Sequence, residues 1–152
     1  MTLYHEFFDD PGLHFFRIVE PHSAEEIYEF LSELGKGDGP SSDIGLSTII
    51  DLRSIDLMKW SSTSFRQHIG KLKSTDARLG RCPSAYVVGD TGSYGMMRMF
   101  SALSDVSAYR DDDFSFVASN LAEAAEWMAG RLGLGAKQTE ALQERILRPS
   151  RR

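Results

Sequence analysis

Apolar and polar positions along the chain change period several times, and each change marks an element. Tyr4 to Phe8 and Leu13 to Val19 are aromatic, β-prone runs separated by Asp9-Asp10-Pro11-Gly12, whose proline and glycine suit a tight turn, so a hairpin is expected. Ser23 and Glu26 form a capping box, after which Ala24, Ile27, Tyr28, Leu31 and Leu34 recur at helical spacing up to a stop at Gly35. Lys36 to Gly45, rich in glycine and serine, reads as a surface loop. Ser47 to Leu52 reads as a buried strand, and Ser61 to Lys73 as a weaker helix with Phe65, Ile69 and Leu72 on one face. Pro83 to Val88 is the next strand, and Gly89-Asp90-Thr91-Gly92 leads from it into a helix carrying Met96, Met99, Phe100 and Leu103 toward a core. A further strand runs from Asp113 to Val117 with Phe114 and Phe116 on one face; Asn120 and Glu123 then cap a helix bearing Leu121, Ala125, Met128 and Leu132. Strands alternating with helices after a hairpin predict an α/β fold with a mixed, mostly parallel sheet of about five strands, an antiparallel N-terminal edge and helices packed on it.

Composition supports this without adding chemistry. A chain of 152 residues, 41% hydrophobic and 11% aromatic, suits one packed domain. The net charge of −5 disfavours general affinity for nucleic acid. That average conceals an asymmetry, because residues 135–152 hold five basic and two acidic side chains, a +3 tail beside a remainder of −8. The division expected is therefore a domain over 1–134 and a basic helix or tail over 135–152. Ala141, Leu142, Arg145 and Ile146 fit an amphipathic helix ending at Pro149; one reading of its basic end is a contact with a membrane surface or an anionic partner, and the favoured one is a solvated, frayed end whose arginines suit the helix dipole. Cys82 is the single cysteine, which rules out an internal disulfide and a multi-cysteine zinc site; it reads as a small apolar filler. Met1 to Phe8 lacks the pattern of a secretory signal and no run reaches membrane-spanning length, so a cytoplasmic location is expected.

The most enzyme-like stretch is Thr91-Gly92-Ser93-Tyr94-Gly95, a serine at a strand-to-helix turn. Thr91 replaces the first glycine of the hydrolase elbow, and His5, His14, His22 and His68 all precede Ser93, the reverse of the hydrolase order. The competing reading makes Thr91 or Ser93 a helix cap, with Gly95 allowing close packing of helix on sheet. The turn lacks the lysine of a nucleotide-binding loop, and Asp90 would repel a phosphate beside it. Asp111-Asp112-Asp113 cannot converge on one cation because consecutive side chains diverge. No two histidines stand at helical ligand spacing, so neither a metal nor a cofactor is expected. Met96, Met97 and Met99 read as core fillers that would tolerate a small apolar ligand.

Three local patterns nevertheless go together: Thr48-Ile-Ile-Asp-Leu-Arg53; Tyr86-Val-Val-Gly-Asp90 leading into Ser93-Tyr94-Gly95-Met-Met-Arg98-Met-Phe100; and Phe116 followed by Leu121-Ala-Glu-Ala-Ala125-Glu-Trp127-Met128. In this order they resemble the SpoIIAA-like group of bacterial proteins, relatives of STAS domains that are also similar to CRAL-TRIO lipid-transfer domains. The resemblance covers about Leu13 to Leu134 and implies a non-catalytic domain holding a small apolar or lipid-like ligand, or a protein partner such as a second copy of the chain, with contact at a membrane surface. STAS anti-anti-sigma factors are switched by phosphorylation in an Asp-Ser-Ser-Gly turn, but the corresponding turn here is Lys59-Trp60-Ser61-Ser62. The phosphoacceptor therefore does not carry over, although Ser61, Ser62 and Ser64 remain candidates for a phosphate at a helix start. Sites in open α/β sheets lie beyond the carboxyl ends of the strands, which brings Asp51, Arg53, Asp90 and Ser93 to one rim. Tyr94 belongs to that rim, Arg98 adds a positive charge one turn on or pairs with a nearby carboxylate, and Trp60 is placed to cover a pocket or dip into lipid headgroups.

Overall fold

The hairpin forms because the two aromatic runs meet across a glycine turn. Strands β1 (Leu3–Phe8) and β2 (Leu13–Ile18) pair antiparallel, with Phe8 opposite Leu13 and Leu3 opposite Ile18. Gly12 takes a φ of 87°, which a side chain would resist, and its N–H donates to the Phe8 carbonyl at 2.8 Å. The computed structural model describes residues 3–8, 12–19, 47–55, 83–106 and 115–148. The helices expected at 23–35 and 61–73, the loop at 36–45, Trp60, Ser61, Ser62, Ser64, Cys82 and the aspartates at 111–113 lie outside the described residues.

Strands β3 (Thr48–Asp51), β4 (Ser84–Val87) and β5 (Ser115–Ala118) follow β2 in chain order, each parallel to its neighbour, and complete a five-stranded mixed sheet. Every residue of β3 and β4 is buried, which is why their sequences read as short continuous runs and not as an apolar–polar alternation. Three described helices pack around this sheet: α1 (Thr91–Val106), which contacts β5, α2 (Leu121–Leu132) and α3 (Ala136–Leu147).

One sheet face carries the main core. Phe15, Ile49, Ala85 and Phe116 share a register row, and Val87 and Ala118 belong to the next. Phe8 and Leu13 extend the surface, and Leu121, Ala124, Ala125 and Met128 of α2 cover it. Full burial of side chains such as Met128 and Val87 stabilises the fold by ~1.5–3 kcal/mol each. The expected cap of α2 is present: Asn120 Oδ1 accepts the Glu123 N–H at 2.8 Å. Gly133, at φ 69°, ends that helix, and the Leu134 N–H donates to the Ala129 carbonyl at 2.9 Å, turning the chain directly into α3.

Two expectations change here. The C-terminal segment is not a solvated end over 136–147, because Leu142 and Ile146 are buried in the same core as the sheet. Arg145 lies 4.0 Å over the Phe8 ring and donates to Glu6 at 3.0 Å, while Arg17 of β2 donates to the Ile146 carbonyl at 3.0 Å. On α1 the fully inward methionine is Met97, whereas Met96 and Met99 are half-buried. The reason is that Ser93 and Met97, four residues apart, share the buried stripe. No helix among the described residues is long and apolar enough to cross a membrane.

Candidate functional site

The carboxyl ends of β3 and β4 deliver the predicted rim. Asp51 ends β3 on the core-facing side, in register with Arg17 and Val87, and is 3% exposed. A carboxylate buried this deeply needs compensation, and two guanidiniums supply it. Arg53 grips it in a fork, Nε to Oδ1 at 2.9 Å and Nη2 to Oδ2 at 2.9 Å, and adds its backbone N–H at 3.1 Å. Arg17 donates Nε to Oδ2 at 3.0 Å. Burial pushes the Asp51 carboxyl up, but the hydrogen bonds and charge of Arg53, joined by Arg17, outweigh it and hold the group below its ordinary value. The Arg53 guanidinium is correspondingly held above its own.

The Arg53 side chain remains 43% exposed, and its Nη1 edge has no bonding partner among the described residues. A cation is thus fixed in orientation with one edge facing outward. The loop after β4 lies tightly against it: a Cβ added at Gly89 would come within 2.9 Å of the Arg53 carbonyl oxygen. Glycine is what lets these two rim loops touch.

Asp90, and not Thr91 or Ser93, caps α1. Its Oδ1 accepts the Ser93 N–H at 2.7 Å, and its Oδ2 accepts the Ser93 hydroxyl at 3.2 Å. Ser93 is fully buried, so the side chain that looks most like a nucleophile is bonded to the carboxylate at the helix start. Gly95 does not mediate close packing either; it is exposed, and an added Cβ would meet nothing within 4 Å. Tyr94, 41% exposed, and Arg98 lie one turn apart on the outer side of α1. No internal ion pair to Arg98 exists among the described residues. Of the aromatic residues in the α2 pattern, Trp127 stacks on Phe116 at 5.2 Å and Arg131 lies over it at 5.7 Å, so its role is packing.

Linear spacing missed a second constellation. His5 Nε2 and His14 Nδ1 are 2.8 Å apart, hydrogen bonded across the hairpin. Residues 5 and 16 are direct partners, so 5 and 14 are diagonal neighbours on one face, a relation legible once the turn fixes the register. Their rings stack on each other and on Phe16, and Phe7 packs against His14 at a 42° tilt. Burial, with a contribution from the His5 charge, brings the His14 pKa down to about 4; burial also lowers that of His5. Both imidazoles are therefore neutral at pH 7. On the same sheet face, Thr48 follows His14 in register and its hydroxyl bonds that of Ser84 at 2.9 Å.

The molecule is thus a mixed-sheet α/β domain with an arginine–aspartate rim at one end of its parallel strands and a histidine pair on its hairpin. No protein-family model, curated protein or solved structure matches the chain.

Proposed function

We propose that the chain is a non-catalytic binding module of the SpoIIAA-like kind, taking a small apolar or lipid-like ligand with an acidic end at the rim beyond β3 and β4. The observation that carries this reading is Arg53, clamped on buried Asp51 with its side chain 43% exposed and its outer edge without a partner among the described residues. A guanidinium already fixed in place loses little further freedom when a carboxylate or phosphate docks on it, so it is a better anion receptor than a loose surface arginine. Its position at strand carboxyl ends is where open α/β sheets bind ligands. Exposed Tyr94 offers apolar surface on the adjoining helix, and Arg98 a second cation. A hydrolase using Ser93 fits less well, since that hydroxyl is buried and donates to Asp90.

Denaturing extraction of purified protein followed by mass spectrometry should release an acidic apolar compound. Vesicle flotation should show retention on phosphatidylglycerol-containing vesicles that weakens in Arg53→Gln. Protein that is empty in repeated preparations and ignores both anionic and neutral vesicles would sink the ligand reading. For the hydrolase, turnover of activated esters that disappears in Ser93→Ala would displace the binding module as the better account.

A further inference from the structure

We infer that the end of the molecule where the parallel strands finish is a docking face for an anionic lipid bilayer, with Tyr94 and Leu147 entering the headgroup region and Arg53, Arg98 and Arg148 meeting lipid phosphates. The argument starts from where exposed apolar surface falls. Among the described residues, Val19 at 39%, Tyr94 at 41% and Leu147 at 56% are the exposed large apolar side chains. They come from three separate elements, yet the topology brings them to one end. Val19 follows the last residue of β2, which runs parallel to β3. Tyr94 lies in the first turn of α1, just beyond the end of β4. Leu147 closes α3 beside Ile146, whose carbonyl accepts from Arg17 Nη2 while Nε of the same arginine bonds Asp51 at the end of β3.

Basic groups stand among these side chains. Arg53 beyond β3, Arg98 one turn from Tyr94, and Arg148 next to Leu147 are all exposed, and the sequence continues from there as Pro149-Ser150-Arg151-Arg152. The carboxylates at this end oppose them weakly. Asp51 is outnumbered by two arginines, Asp90 is turned onto Ser93, and Glu123 accepts from the Ser119 hydroxyl; exposed Glu144 stands one turn back along α3. The opposite end lacks the combination: Arg131 and Lys137 are exposed there, but Leu132 and Leu134 are packed against the core. A bilayer fits this face better than an acidic protein does. Its apolar groups are single side chains separated by arginines, whereas the centre of a protein interface is a continuous patch depleted of charge. A tyrosine ring, and a leucine at the basic end of an amphipathic helix, suit headgroup depth, and each nearby arginine adds attraction to anionic lipid. The face shares Arg53 with the proposed ligand rim and deepens that reading, since a rim held against a bilayer takes an acidic apolar ligand from the lipid phase.

The test is co-sedimentation of the full chain with sucrose-loaded vesicles of equal parts phosphatidylglycerol and phosphatidylcholine. Partitioning is expected to fall about fivefold in Leu147→Gln, in Tyr94→Gln and in Arg148→Gln, and to stay within about twofold of the parent in Lys137→Gln at the opposite end. All four positions are exposed, so each variant should keep the parent's circular dichroism spectrum. No partitioning onto these vesicles, or equal weakening in Lys137→Gln, would overturn the docking face. So would partitioning unchanged by Leu147→Gln and Tyr94→Gln with equally tight binding to poly-glutamate, which would make the contact one of charge alone, suited to an acidic protein. An acidic apolar compound extracted from protein that ignores vesicles would sink the docking face and leave the ligand reading standing. Empty protein that docks through Leu147 and Tyr94 would support the docking face without the ligand.

Discussion

Replacing Asp51 by asparagine preserves the shape of the side chain and removes the charge that two arginines converge upon. In the parent, four donors reach this carboxylate: three from Arg53 and one from Arg17. Removing one side of a buried charge cluster costs ~3–5 kcal/mol when the remaining charge is left stranded. Arg53, 43% exposed, can regain water, but Arg17, 18% exposed, stays largely enclosed with its Nη2 on the Ile146 carbonyl. The loss expected for Asp51→Asn is therefore about 2–4 kcal/mol, below the full range because part of the cluster rehydrates. At this chain length that corresponds to a fall of about 5–15 °C in Tm. Urea unfolding followed by circular dichroism measures it directly. The pH dependence supplies an independent sign. A carboxyl whose folded pKa lies below its unfolded value of 3.8 stabilises the protein fully above that value and progressively less as pH falls through the folded one. The gap between parent and variant should be widest at neutral pH and narrow as the pH drops below 3.8. A gap under about 0.5 kcal/mol at pH 7, the size of an ordinary surface substitution, would refute the account of Asp51 as a buried, doubly compensated anion. So would a gap that stays constant down to the lowest pH at which the parent still unfolds cooperatively.

Gly89→Ala places a Cβ 2.9 Å from the Arg53 carbonyl oxygen, a backbone atom that cannot swing aside, so a loss of ~1–3 kcal/mol is expected in the urea midpoint, and an unchanged midpoint would contradict the close approach. Gly95→Ala should do the opposite: its Cβ meets open space on an exposed helical position, and the lower backbone entropy is expected to add ~0.5–1 kcal/mol, visible as a raised Tm. Asn120→Ala removes the acceptor for the Glu123 N–H and should cost ~1 kcal/mol, with faster amide exchange confined to the first turn of α2. Exchange rates that do not move would mean that the cap contributes nothing.

What the chain determined by itself is what lies within a few residues of each cause. The hairpin turn needs Gly12 at positive φ, α2 needs an acceptor at Asn120, and the buried strands need short apolar runs; each of these acts locally and was legible in order. The five-stranded mixed sheet followed from the alternation of elements. Tertiary structure decided everything that depends on which distant residues share a face. Asp51 and Arg53 look equally free in the sequence, yet strand register brings Arg17 alongside, and one becomes a buried anion while the other presents an outward edge. Ser93 resembles a nucleophile until the helix phase turns it inward onto Asp90. The basic end appears solvated until the glycine turn folds α3 back over Phe8 and Arg17. His5 and His14, nine positions apart, become a pair only because an antiparallel ladder makes diagonal neighbours of them.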